Sequence, residues 1–224
     1  RPAPTTCAIV RGQIDLWRFR LDLPESSRPE LTRLLSADEL QRFARQLDPN
    51  NAKRLMVARA RMRQILGRYL QRPPETLAFA YETNGKPQLC GHDRGQFAFN
   101  LAHSGLWGVL AITAGMPVGV DVEQIDTRLE PLTLARQFLP DDQVNILRQT
   151  PACRQRRAFF RAWTATEARL KMTGKGLASL REPAAQMQNW ALRRFTVGRG
   201  YLGAIAAAGQ VDTIRRWEYA EGWS

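Results

Sequence analysis

Apolar and polar positions alternate along residues 8–21, AIVRGQIDLWRFRL, which predicts a strand or hairpin near the start of the chain. The period then changes. Ser36, with Glu39 three residues on, has the spacing of a capping box and starts a helix over LSADELQRFARQL. A longer helix is expected over NAKRLMVARARMRQILGRYLQ. Leu55, Ala58, Met62, Ile65, Leu66 and Tyr69 recur there at helical spacing, and Pro73–Pro74 closes the segment. Its other side carries Lys53, Arg54, Arg59, Arg61, Arg63 and Arg68. LAFAYETNGKPQL reads as a strand entering an Asn-Gly turn. FAFNLAHSGLWGVLAITAG gives two strands around His103–Ser104–Gly105, and MPVGVDVEQID gives the next. Helices are expected at roughly 131–149 and 154–172, followed by strands in WALRRFTV, YLGAIAAAG and TIRRWEYA. This order predicts an α+β protein of two similar halves, residues 1–114 and 115–224.

Composition narrows the class. At 224 residues the chain is long enough for one large domain or two compact halves around a shared core. No run approaches the ~20 apolar residues of a membrane span. The first residues, RPAPTTCAIV, lack the apolar core of a signal peptide, so the expected location is cytoplasmic. Three scattered cysteines (Cys7, Cys90, Cys153) without CxxC spacing argue against a disulfide framework or a structural zinc site. Two histidines, His92 and His103, disfavour multi-histidine metal centres. A net charge of +12 points to an anionic partner: nucleic acid, a phosphorylated cofactor or an acidic protein. Only Lys53, Lys86, Lys171 and Lys175 are lysines among the 33 basic residues, and their positions are therefore informative.

The strand VGVDVEQ raises the chemical question. Residues two apart on a strand face the same way, so Asp121 and Glu123 share one side and Val118, Val120 and Val122 the other. Two adjacent anions are either screened by water at an exposed edge or hold a cation. A third carboxylate, Glu167, lies in FFRAWTATEARLKMTGKGL with Phe160, Trp163 and Lys171 at helical spacing. As a surface feature, Glu167–Lys171 is an ordinary i,i+4 pair. The aromatic residues beside it suggest a side that faces the core or a cleft. If that side meets the strand, three carboxylates form an all-oxygen set suited to Mg²⁺, which shares its shell with water and phosphate. Gly174–Lys175–Gly176 reads as a helix C-cap or an anion loop, Gly85–Lys86–Pro87 as a turn, and His103 as a core histidine or a ligand.

Taken in order, NGKPQL, FNLAHSG, VGVDVEQI and WTATEARLKMTGKGL resemble the motif series of the Sfp-type 4′-phosphopantetheinyl transferases: G-K-P, F-N-x-S-H-S, [VI]-G-[VI]-D-[VI]-E and W-x-x-K-E-[AS]-x-x-K, then G-x-G-L. The resemblance implies a monomer of two pseudo-symmetric α+β halves, each a small, mainly antiparallel sheet packed on a long helix, with coenzyme A in the cleft between them. By position, Asp121, Glu123 and Glu167 would hold Mg²⁺, or Mn²⁺ in its place. Glu167 would take the proton of the carrier protein's serine. Lys171 would meet phosphate and the departing 3′,5′-ADP. His103 would bind the nucleotide's phosphates, Lys86 and Pro87 would line the adenine end, and Lys175 would add a cation. Arg54, Arg59 and Arg63 are the candidates for the 3′-phosphate.

The implied reaction moves the 4′-phosphopantetheine arm of coenzyme A to a serine of an apo acyl or peptidyl carrier protein. Carrier proteins of this kind are acidic around that serine, which suits the positive chain. Two positions depart from the pattern: Thr166 stands where the family has Lys, and Ala102 where Ser is common. A Mg²⁺-dependent nuclease or phosphohydrolase is the alternative enzyme. A nucleic-acid-binding module is the alternative without catalysis, but no reader motif or interleaved aromatic stripe supports it, and neither nucleic acid nor membrane is an expected partner.

Overall fold

The computed structural model describes residues 7–82, 85–176 and 189–219. The first strand, β1 (Gln13–Arg20), is followed by helices α1 (Arg28–Arg33), α2 (Ala37–Ala44) and α3 (Pro49–Leu70). Short strands β2 (Phe79–Tyr81) and β3 (Pro87–Leu89) form a hairpin, and β4 (Ala98–Ser104) and β5 (Trp107–Thr113) a second one. The expected Asn-Gly turn falls partly on Asn84, outside the described residues; Gly85 beside it has φ 80°. Then come β6 (Val118–Gln124), helices α4 (Pro131–Phe138), α5 (Asp141–Gln149) and α6 (Ala152–Thr173), and strands β7 (Trp190–Phe195), β8 (Tyr201–Ala208) and β9 (Thr213–Glu218).

Two sheets carry the fold, in the orders β4-β5-β1-β9 and β6-β8-β7. They face one another. Ile14, Leu16, Ala102, Val109 and Ala111 of the first meet Val118, Val120, Val122, Ile205 and Ala207 of the second in one apolar core. The alternate residues of the first sheet, including Trp17, Phe19, Phe99, Leu110 and Ile112, pack on α3 through Val57, Met62, Ile65 and Leu66. The outer face of the second sheet receives α6, where Ala168 and Met172 lie on Ala204 and Ala206. The layers run helix, sheet, sheet, helix, and both long helices have 22 residues. The expected α+β pair of sheet-on-helix halves is the architecture found.

Two expectations need correction. The helix expected over 131–149 is broken: α4 stops at Phe138, and Pro140 N-caps a separate α5. Proline has no N–H to continue the first helix, so the apolar period bridges two elements. The division at residue 114 also fails for the last strand, because β9 runs parallel to β1 and completes the first sheet. Its Arg215 reaches the fully buried Asp15 through two 2.7 Å hydrogen bonds, and the Tyr69 hydroxyl donates to the same carboxylate at 2.5 Å.

The capping box at Ser36 is present, and Glu39 accepts from the Ser36 backbone N–H at 3.0 Å. The same carboxylate is 1% exposed and accepts from the Arg59 Nε at 2.6 Å and the Arg63 Nε at 2.8 Å. A side chain that starts one helix thereby fastens it to the next.

Candidate active site

The valines of β6 are fully buried between the sheets, which turns Gly119, Asp121 and Glu123 toward α6. Gly119 permits the approach: a Cβ there would lie 2.0 Å from the carbonyl oxygen of Ala168 and 2.3 Å from the nitrogen of Met172. With the backbones so close, the Lys171 Nζ donates to the Asp121 Oδ1 at 2.7 Å. An exposed edge with incidental acids is thus excluded, since Asp121 is 4% exposed. Glu123 accepts from the Ser104 hydroxyl at 2.7 Å. One turn before Lys171, Glu167 feels the charges of Lys171 and Glu123.

Electrostatics mark this cluster as unfinished. Burial pushes the Asp121 carboxyl up to about 7, and the Glu123 and Glu167 charges act the same way against the opposing Lys171. Burial also raises Glu167. For Lys171 burial disfavours the charge, yet Asp121 foremost, with Glu167 and Glu123, outweighs it and raises the ammonium above its usual value. The Asp121 Oδ2 and the Glu167 Oε1 are buried without a hydrogen-bond partner. Unpaired buried acceptors are costly, and a cation satisfies them at once. Among the described residues, however, no three carboxylate, histidine or cysteine side chains are gathered into a finished metal centre. The donor set fits Mg²⁺ chemically, because that ion prefers oxygen ligands such as carboxylates and completes its shell with water and phosphate oxygens.

His103 sits across the seam where the two edge strands, β4 and β6, run side by side. Burial, then the Lys171 ammonium and the Arg54 guanidinium, holds its pKa below the usual histidine value. A neutral imidazole between two cations has the character of an anion pocket. Of the three arginines expected to meet phosphate, Arg54 alone is brought toward His103. Arg59 and Arg63 are a correction: both are committed to Glu39, the Arg63 Nη1 also donates to the carbonyls of Pro74 and Leu77, and Arg59 donates to the Tyr81 hydroxyl.

Lys86 lines the same cavity as Pro87, while its ammonium is turned to backbone carbonyls. Its Nζ donates to the carbonyl oxygens of Val118 (3.1 Å) and Lys171 (2.9 Å), and burial lowers its pKa. Pro87 borders a cavity of about 370 Å³ shared with Phe97, Phe99, Pro117 and Gly174. Lys175 follows the C-cap Gly174 (φ 69°), at the same end of α6, and is exposed. Leu177 of the last motif lies outside the described residues. A second cavity of about 570 Å³ opens beside Glu123 and Ser104, walled by Leu134, Phe138, Phe159 and Trp163.

The two departures from the family pattern point away from the carboxylates. Thr166 is buried and lines a groove between α5, α6 and β7 with Ile146, Arg169 and Trp190. Ala102 is buried between the sheets. Gly119, Asn100 and Ser104 all shape the site, although only their membership of the motifs distinguishes them in the sequence.

Comparisons with known proteins agree with this geometry. Residues 117–219 match the family model of the 4′-phosphopantetheinyl transferase superfamily, and residues 25–115 match the 4′-phosphopantetheinyl transferase N-terminal model. The 4′-phosphopantetheinyl transferase HetI of Nostoc sp. is 33% identical, over 97% of this chain and 97% of its own. The chain belongs to the 4′-phosphopantetheinyl transferase family. Sfp of Bacillus subtilis is 27% identical over 66% of this chain and 69% of its own. The Xenopus laevis L-aminoadipate-semialdehyde dehydrogenase-phosphopantetheinyl transferase is 29% identical over 65% and 51%. The chain is accordingly an enzyme of phosphopantetheinyl transfer to carrier proteins, with coenzyme A as the donor. No helix among the described residues is long and apolar enough to cross a membrane.

Proposed function

We propose that this transferase works at the seam between β4, β6 and α6, with Mg²⁺ held by Asp121, Glu123 and Glu167 and the phosphates of coenzyme A held by Lys171, His103 and Arg54. The observation that carries this reading is the pair of orphaned buried oxygens, Asp121 Oδ2 and Glu167 Oε1, in the cluster where Lys171 pairs with the Asp121 Oδ1. Mg²⁺ bound there supplies charge neutralisation at the pyrophosphate and a fixed orientation for it.

The chain's own groups account for the rest. The serine hydroxyl of an apo acyl or peptidyl carrier protein attacks the phosphorus that bears the pantetheine arm. A new P–O bond to serine forms as the bond to the bridging oxygen breaks, and 3′,5′-ADP departs. The Glu167 carboxylate takes the serine proton; its burial raises its basicity toward that task. Lys171 moves from partner of Asp121 to shared partner of the phosphates, countering the charge that grows on the leaving group. His103 donates from its ring nitrogen to a phosphate oxygen, and Arg54 adds a guanidinium. The cavity beside Glu123 offers room for the arm, while the one bordered by Pro87 offers room at the nucleotide end. Lys175 is placed to add charge at that end. No enzyme nucleophile is required, and the protein works as a monomer with no nucleic-acid partner.

The test is a mass measurement. The protein is incubated with Mg²⁺, coenzyme A and several apo carrier proteins, and the carriers are weighed intact. A gain of one phosphopantetheinyl arm is expected for the native chain and not for Asp121→Ala or Glu167→Ala, with circular dichroism unchanged. Near-normal transfer by either variant would remove the metal assignment.

A further inference from the structure

β6 is an edge strand. Its bonds to β8 are flanked by Ala208 N–H to the Pro117 carbonyl and Ile125 N–H to the Gly200 carbonyl. Since alternate residues of an antiparallel pair point their backbone groups toward and away from the partner strand, the groups of residues 118, 120, 122 and 124 face outward. An open edge of this kind normally pairs with another strand or meets water. Here side chains from the other half occupy three of its positions. The Lys86 Nζ donates to the Val118 carbonyl at 3.1 Å, the Asn100 Oδ1 accepts from the Val120 N–H at 2.8 Å, and the Ser104 Oγ accepts from the Gln124 N–H at 3.0 Å.

Asp121 and Glu123 sit between those three anchor points. Ser104 is bifunctional: while accepting from Gln124, it donates its hydroxyl proton to the Glu123 Oε2 at 2.7 Å. Lys86 is also bifunctional, because its second bond at 2.9 Å is to the carbonyl of Lys171, the residue that pairs with Asp121. Asn100 and Ser104 are four residues apart on β4, and so are their targets on β6, so the two bonds fix register as well as distance.

We infer that Lys86, Asn100 and Ser104 are positioning residues that clamp the free edge of β6 and thereby hold the Asp121 and Glu123 carboxylates in place for the divalent cation. The inference rests on the metal assignment proposed above, and it gives the Lys86 ammonium a scaffold role beside its place in the cavity wall. Partners that orient a metal-binding side chain are commonly worth about 10–100-fold in metal affinity.

The experiment measures Mn²⁺ affinity by electron paramagnetic resonance with coenzyme A saturating, and coenzyme A affinity by calorimetry in metal-free buffer. Ser104→Ala is expected to weaken Mn²⁺ by about tenfold or more, with Ser104→Thr restoring it, because threonine keeps the hydroxyl. Lys86→Met is expected to weaken Mn²⁺ by a larger factor than it weakens metal-free coenzyme A binding. A lower melting temperature in both variants with native Mn²⁺ affinity would overturn the inference, leaving only a structural role. So would weakened coenzyme A binding by Lys86→Met at native Mn²⁺ affinity, or absence of Mn²⁺ binding by the native chain. These affinities are read without a carrier protein. A chain that binds Mn²⁺ through the clamp yet modifies no carrier would sink the transferase assignment alone.

Discussion

A half-buried histidine beside two cations is a group suited to an anion. Unfolding returns His103 to its ordinary pKa, near 6.5, whereas the folded environment holds it lower. The unfolded chain thus takes up this proton first as pH falls, and the stability contributed by neutral His103 is present above pH ~6.5 and lost below it. A phosphate placed against the ring reverses the direction of the shift. Nuclear magnetic resonance should show the His103 titration moving upward on addition of 3′,5′-ADP. An unmoved His103 would argue against the phosphate contact. Glu39 makes the complementary prediction. Glu39→Ala strands two buried guanidiniums and should cost about 3–5 kcal/mol of stability, seen in denaturant unfolding. Arg54→Ala should instead leave stability near native and raise the KM for coenzyme A. The sequence showed all three arginines on one side of a helix, but the partner that separates them comes from a different helix. Helical spacing could not supply that information.

At the scale of elements, the legible parts are those with one dominant period. The strand VGVDVEQ, the capped α2 and the 22-residue helices follow from spacing alone, and so does the sharing of a face by Asp121 and Glu123. What α6 does was less legible, because its height above the sheet depends on what the sheet lacks. Gly119, Ala204 and Ala206 form the floor under it. Gly119→Ala sets a methyl against two backbone atoms that cannot swing aside, and overpacking of that kind costs roughly 1–3 kcal/mol. The helix must lift, taking Lys171 away from Asp121. Thermal denaturation should show the loss, and transfer activity should fall further than stability alone explains; a variant with native melting and native turnover would contradict the close-packing account. The broken α4–α5 region teaches the reverse lesson. Its apolar period was continuous, and only Pro140 carried the boundary.

At the scale of the molecule, the two halves share a core and exchange a strand, and that places the site. β4 and β6 meet edge to edge because their sheets pack face to face, so Lys86, Asn100 and Ser104 of one half reach the strand that carries the carboxylates of the other. The twofold plan was readable from element order. The route of β9 was not, since strands of similar pattern offer no marker of which sheet they join. Asp15→Ala tests the strand exchange: it strands Arg215 and the Tyr69 hydroxyl, and hydrogen exchange should then open β9 and β1 together before β7 and β8. Uniform loss of protection across both sheets would mean that Asp15 is not what ties β9 down.

The pairing of β1 with β9 also has a bearing on biosynthesis. Residues 13 and 213 are register partners, and a ribosome releases the second long after the first. Until β9 emerges, β1 offers an unpaired edge and Asp15 a charge without its guanidinium, in a half whose other strands and long helix are already complete. The nascent first half is therefore held short of its final state, and the carboxylates of β6 are translated before that half can close. Co-translational folding of the first sheet should wait for β9.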